Sequence, residues 1–145
     1  MYSANNMESK DIVLEKLRGA GFRMTPQRLA IIEFLLDNET HPSADDIYQK
    51  IRKKYPMLSL STVYNTLETL RKMGQIQALT ISEDRIRYDP EENPHHHFFC
   101  KKCGKIIDIC PQIKVKGDCL EKHRIHDYKA YFYGICSDCL HKKEE

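Results

Sequence analysis

Apolar positions in the first half of the chain recur at helical spacing. Ile12, Val13 and Leu17 predict a helix over 8–20, with Gly19 and Gly21 bracketing its end. Thr25-Pro26 is a helix start, Thr as cap and Pro at the first position, and Leu29, Ile32, Leu35 and Leu36 line one face of the helix that follows. Ser43 and Asp46 form a capping box for a third helix, which carries Ile47, Tyr48 and Ile51 and ends before Pro56. Ser59 or Ser61 starts a fourth, with Val63, Leu67 and Leu70 at i, i+4 and i+7 and Gly74 just past its end. The period then changes. Ile76, Ala78 and Thr80 interleave with Gln75, Gln77 and Leu79, a Ser82-Glu83-Asp84 turn follows, and Arg85 to Asp89 alternates again, which predicts a β-hairpin.

Helices followed by a two-stranded hairpin have the layout of a winged helix-turn-helix, with the helix before the wing as the recognition helix. Pro90-Glu91-Glu92-Asn93-Pro94 reads as a linker. Beyond it, strands are predicted over His95–Cys100, Lys105–Cys110 and Tyr128–Ile135, with a short helix around Asp118–His123. The expected class is α+β: a winged-helix domain over 1–90, a hinge over 91–94, and a small α/β domain over 95–145.

Composition changes this picture little. The 145 residues carry a net charge of +2, so charge alone gives no reason to infer a nucleic-acid partner. The first 20 residues have no apolar core of a signal peptide, and the apolar run Leu29–Leu36 is broken by Glu33 and too short for a bilayer. The expected location is the cytoplasm, where paired cysteines bind metal more often than they form disulfides. The ligands are unevenly spread: all six Cys lie after position 99, and of seven His only His41 lies before position 95.

Cys100-x-x-Cys103 and Cys136-x-x-Cys139 are the most specific signal. Two thiolates three residues apart on a turn reach one ion, and two such pairs complete the closed tetrahedral shell of a structural zinc. Gly104 suits the open backbone angle of a knuckle. Cys110 and Cys119 are left over; small buried side chains are the plainer reading, an exposed reactive thiol the other.

A second set carries nitrogen and oxygen. In the extended His95-His96-His97 run, His95 and His97 share a face and His96 takes the other. Asp89 precedes the run, Asp108 lies on the next strand, and His41 sits before Pro42 in a loop. Three His and two carboxylates suit Fe(II), Mn(II) or another first-row divalent ion better than structural zinc. Each also has a plainer reading: a solvated loop histidine, or a histidine run on a strand surface.

On the fourth helix the face opposite Val63, Leu67 and Leu70 shows Ser61, Thr62, Tyr64, Asn65, Glu68 and Arg71. Asn bonds adenine bidentately in the major groove, while Ser, Thr and Tyr position phosphates. Arg23, Arg28, Lys53 and Lys54 are candidate phosphate contacts, and Arg85 and Arg87 lie on the wing, there to enter a minor groove or simply to be solvated.

Taken in order, these motifs resemble the ferric uptake regulator (Fur) family of metal-dependent bacterial repressors. The resemblance rests on Met24-Thr25-Pro26-Gln27-Arg28, on His41-Pro42-Ser43-Ala44-Asp45-Asp46-Ile47-Tyr48, and on Ser61-Thr62-Val63-Tyr64-Asn65-Thr66-Leu67. It continues through His95-His96-His97, Cys100 to Asp108, and Tyr133 to Cys139. Within the family the chain is similar to the peroxide-responsive repressors. Asp108 stands where iron-responsive members usually have Glu, and Asn65 where many have Arg.

The resemblance implies a homodimer on a palindromic double-stranded operator, with the C-terminal domain as the dimerization domain. It implies zinc on Cys100, Cys103, Cys136 and Cys139, and regulatory Fe(II) or Mn(II) on His41, Asp89, His95, His97 and Asp108. In such peroxide sensors oxidation falls on a ligand histidine, here His41 or His95, and releases the metal. Two departures stand out: Tyr128 replaces a histidine that many relatives carry, and His96 an aspartate common in iron-responsive members, which speaks against a further metal site. The segment between the cysteine pairs is short, which implies a trimmed dimerization helix. Competing readings are a repressor that follows iron or zinc level, a zinc-stabilised interaction module that never touches DNA, and a metal-dependent enzyme. An enzyme is disfavoured because no nucleophile or phosphate loop is evident, and the expectation is a non-enzyme.

Overall fold

The structure, a computed structural model, describes residues 4–90, 94–113, 122–126 and 128–142. The chain divides into two compact units, Met1–Glu92 and Asn93–Glu145.

The first unit holds helices α1 (Ala4–Gly19), α2 (Pro26–Leu36), α3 (Ala44–Ile51) and α4 (Leu60–Lys72), then strands β1 (Gln77–Leu79) and β2 (Arg87–Asp89). Local chemistry sets the helix starts. Thr25 Oγ1 accepts from the Arg28 amide at 3.2 Å ahead of Pro26, and Ser59 Oγ, rather than Ser61, accepts from the Thr62 amide at 3.1 Å. Ser43 closes a full capping box: its Oγ accepts from the Asp46 amide at 3.2 Å, and its own amide donates to Asp46 Oδ2 at 2.9 Å.

Val13, Leu17, Ile31, Ile32, Leu35, Ile47, Ile51, Val63, Leu67 and Leu70 meet in one core. Two expectations shift. Helix α1 begins at Ala4, earlier than position 8, and turns Ile12 outward, 51% exposed, while Val13 and Leu17 go in. Helix α2 is apolar around most of its circumference, so Ile31 joins Ile32 and Leu35 in the core, Leu36 lies at its margin, and Leu29 is half-buried. Strands β1 and β2 pair antiparallel, Ala78 opposite Tyr88, as the wing.

Burial tends to raise the Asp46 pKa, but the Ser43 amide and hydroxyl bonds, helped by Arg85 and Arg87, outweigh it and hold the carboxyl below its ordinary value. A carboxylate with a depressed folded pKa adds stability that is complete above its unfolded pKa and lost as pH falls through the folded one. Asp46→Ala is therefore expected to destabilise the start of α3 at neutral pH, by about 0.5 kcal/mol because solvent screens the half-exposed carboxylate. The check is amide exchange in the first turn of α3: the gap between variant and wild type should close below about pH 4. A gap that is constant down to pH 2.5 would remove the carboxylate from the cap.

The second unit holds β3 (His96–Cys100), β4 (Ile106–Ile109), β5 (Tyr131–Gly134) and a short α5 (Ser137–His141). The sheet order is β4-β3-β5, with β3 antiparallel to β4 and parallel to β5. Phe98 stacks over Gly134, where an added Cβ would stand 3.2 Å from the ring. Strand β5 is shorter than the predicted Tyr128–Ile135, and α5 was not anticipated. The predicted helix at 118–123 falls mostly outside the described residues; Lys122 and His123 lie in a turn. Among the described residues no helix is long and apolar enough to cross a membrane.

Candidate functional site

In the first unit, the stretch His41-Pro42-Ser43 runs alongside β2. Ser43 forms an antiparallel bridge with Arg87, and the Tyr88 amide donates to the Pro42 carbonyl at 3.0 Å. Carrying that register two residues further sets His41 opposite Asp89. Their side chains do meet, His41 Nε2 lying 3.6 Å from Asp89 Oδ2, both buried. His41 is the one non-glycine residue with positive φ among those described, at 54°. That left-handed conformation costs on the order of 1–3 kcal/mol and persists only where neighbours fix it. Here the Arg87 Nη1 donates to the His41 carbonyl at 3.3 Å.

The second unit builds its own cluster by the same device. Antiparallel register pairs His97 on β3 with Asp108 on β4. His95, two residues before His97 and on the same face, completes the group: His95 Nε2 is 3.0 Å from His97 Nε2, and Asp108 Oδ1 lies 3.5 Å and 3.4 Å from the two rings. His96 points the other way, its Nδ1 accepting from the Ala130 amide at 3.2 Å and its ring 5.2 Å from Tyr128. Two imidazole nitrogens and a carboxylate oxygen aimed at one point make a divalent-ion donor set, and the nitrogen–oxygen chemistry of both clusters fits Fe(II) or Mn(II).

The four cysteines converge in this unit, one sulfur from each within 4.8 Å of all the others. Cys100 ends β3 and Cys103 lies in the turn to β4. The Gly104 amide closes that turn onto the Cys100 carbonyl at 2.8 Å, and Gly104 takes the left-handed φ of 73° that a knuckle requires. Cys136 caps α5 and Cys139 lies inside it. Sulfurs of a tetrahedral zinc shell with Zn–S near 2.3 Å stand about 3.8 Å apart; Cys103 Sγ and Cys136 Sγ are 3.8 Å apart.

The electrostatics also call for a cation. Backbone amides at Cys103 and Cys136 point at Cys100 and bring its thiol down to about 6. The Cys136 side chain, then burial, push Cys139 up to about 12. Four thiolates cannot coexist in this space without positive charge, and zinc supplies it. The cluster fits a structural zinc.

On α4, Val63, Thr66, Leu67 and Leu70 face the core, while Ser61, Tyr64 and Asn65 are exposed and Thr62 is half-buried. Glu68 and Arg71 on the same outer face bind each other, Arg71 Nε at 2.9 Å and Nη2 at 2.7 Å, and so offset each other's charge. The polar side chains that remain on this face are those of Ser61, Thr62, Tyr64 and Asn65. Arg23 is exposed; Arg28 is partly engaged, its Nη1 donating to the Arg23 carbonyl at 2.9 Å and its guanidinium over Phe22. On the wing, Arg85 is drawn to Asp84 at 2.9 Å and to Asp46 at 3.8 Å.

Two features escaped the sequence. The pairing of His41-Pro42-Ser43 with β2 joins residues 46 apart, and no local signal encodes it. Cys110 is exposed, which corrects the plainer expectation of a buried thiol: it lies past the end of β4, an edge strand of the sheet. Cys119 lies outside the described residues.

Winged helix, zinc knuckle and histidine-carboxylate clusters together define a metal-responsive regulator, and comparison with known proteins makes the family specific. The ferric uptake regulator family model matches residues 19–133, and the chain belongs to that family. It is 38% identical over 148 residues to the peroxide-responsive repressor PerR of Staphylococcus epidermidis, covering 96% of each chain. The ferric uptake regulator of Helicobacter pylori, whose structure reveals three functional metal-binding sites, superposes with a TM-score of 0.76 at 25% identity, over 93% of this chain and 96% of that one. PerR from Streptococcus pyogenes, solved as a basis for peroxide sensing and gene regulation, gives a TM-score of 0.55 at 34% identity over 90% and 92%.

Proposed function

We propose that this chain is a metal-dependent, homodimeric DNA-binding repressor that senses hydrogen peroxide. One observation carries the reading: each unit presents its own half-set of nitrogen and oxygen ligands, His41 with Asp89 at the wing, and His95 just before β3 with His97 on β3 and Asp108 on β4. Neither half-set fills the coordination of a first-row divalent ion by itself. One ion held by both would fix the angle of the winged-helix domain (1–90) against the dimerization domain (95–145) across a hinge at 91–94. In a dimer that spaces two α4 helices for a palindromic duplex, with Ser61, Thr62, Tyr64 and Asn65 toward it and Arg23 and Arg28 near phosphates.

Bound Fe(II) would supply the electron that cleaves the O–O bond of peroxide, with the ligand imidazoles as the nearest oxidisable groups. A ring that gains oxygen at His41 or His95 loses its donor character, and its half-set lets go. The carboxylates hold the ion without being consumed. The names of the relatives at 35% and 38% identity, a peroxide operon regulator and a peroxide-responsive repressor, support this branch of the family over metal-level sensing. Such a chain is a regulator rather than an enzyme, and it acts on DNA in the cytoplasm.

A mobility shift tests the metal dependence. Duplexes selected from a random pool by the Mn(II)-loaded protein should bind at least tenfold more weakly once Mn(II) is withdrawn while zinc is retained. Tenfold corresponds to about 1.4 kcal/mol of coupling between metal and DNA. Equal binding with and without Mn(II) would contradict a metal-operated repressor, and no selected sequence in either state would favour an interaction module.

A further inference from the structure

We propose that Arg87 is a positioning residue for the His41–Asp89 half-set: its guanidinium fixes the left-handed His41 backbone and so aims the imidazole. The inference rests on His41 being a metal ligand, as argued above.

The sequence offers Arg87 as a wing residue for DNA. The structure folds it inward. Nη1 donates to the His41 carbonyl at 3.3 Å, and Nε is buried without a hydrogen-bond partner among the described residues. With Nη1 on the His41 carbonyl and Nε buried, part of the guanidinium is already committed to the fold. Its backbone bridges Ser43, and the next amide, Tyr88, donates to the Pro42 carbonyl at 3.0 Å. Arg87 and Tyr88 thus hold the segment His41-Pro42-Ser43 against the strand that also carries Asp89. From that strand Arg87 holds the His41 backbone, in the way outer-shell groups orient metal ligands.

The same guanidinium also acts on α3. It lies in the field of Asp46, which caps that helix through Ser43 and also attracts Arg85 at 3.8 Å. A histidine on a free loop would pay the ordering cost when metal binds; one held in place by Arg87 has already paid it.

The test uses the full-length, zinc-loaded chain as wild type, Arg87→Met, Arg87→Lys and, for reference, His41→Ala. Mn(II) affinity should fall 10- to 100-fold in Arg87→Met and recover at least in part in Arg87→Lys, with zinc content and Mn(II)-saturated operator binding unchanged. In the metal-free protein, amide exchange at Tyr88 should quicken in Arg87→Met while α2 core amides hold. Should Arg87→Met not fold, Arg87→Gln takes its place under the same criteria. Unchanged Mn(II) affinity in the Arg87 variant, with affinity lost in His41→Ala, would overturn the positioning role alone. Weakened operator binding at saturating Mn(II), with Mn(II) affinity intact, would make Arg87 a DNA contact and also overturn it. Mn(II) affinity intact in His41→Ala would overturn the ligand assignment beneath it.

Discussion

Cys100→Ser is expected to release zinc and to unfold the Asn93–Glu145 unit. The described residues there offer little else to hold a fold: a three-stranded sheet of four- and five-residue strands and a five-residue helix. Among the described residues Cys100, Cys136 and Cys139 form a buried cluster with Phe98 and Ile107 packed against it, and Ile106 is buried in the sheet. A unit as short as Asn93–Glu145 needs a staple. Structural zinc in small domains contributes roughly 10–16 kcal/mol of apparent binding energy, which in such modules is folding energy. Cys100 is the most exposed to loss because two backbone amides already stabilise its thiolate; serine offers them no comparable anion. Zinc content near zero, lost β-sheet signal and a monomeric sedimentation profile are the expected readings. A folded, zinc-free dimer would refute the four-cysteine site. The pH dependence has a definite sign: Cys139, held up at about 12 without metal, must lose its proton to bind, so zinc affinity should rise with pH.

What the sequence made legible is what short-range chemistry decides. The capping box of Ser43 and Asp46 and the Thr25-Pro26 start lie within one helical turn, so residue type alone placed α2 and α3. The two Cys-x-x-Cys pairs could be read because metal geometry restricts their spacing. The alternation of His95 and His97 put both rings on one face, as found. What stayed hidden depends on pairing over distance. The parallel contact of β3 with β5 crosses a long connection, and the antiparallel company of His41 with Asp89 depends on Ser43 meeting Arg87. The left-handed backbone of His41 is equally unreadable, because histidine does not advertise a positive φ as glycine does. Ile12 misled for another reason: helical periodicity fixes a face only to within a residue when two neighbours, Ile12 and Val13, are both apolar.

The second large effect concerns peroxide. Both half-sets set a histidine against an aspartate fixed on a strand: loop residue His41 beside Asp89 of β2 in one unit, and His97 opposite Asp108 across antiparallel strands in the other. Strand register holds the carboxylates at fixed points, so damage to one imidazole cannot be repaired by a small rearrangement. Loss of an outer-shell partner alone typically costs about 10- to 100-fold in metal affinity, and loss of a ligand nitrogen itself should cost at least as much. The response to peroxide should therefore be nearly all-or-none for each subunit. It should also require Fe(II), since Mn(II) does not readily give up the electron that peroxide cleavage consumes. The Mn(II) form should repress without responding.

The direct measurement is anaerobic loading with Fe(II), one stoichiometric pulse of hydrogen peroxide, and peptide mass spectrometry beside an operator-binding assay. One added oxygen on the peptide carrying His41 or His95, with operator binding lost in step and the Mn(II) control unmodified, is the predicted result. Unmodified histidine peptides, with DNA binding that only follows metal concentration, would contradict peroxide sensing and leave a metal-level repressor.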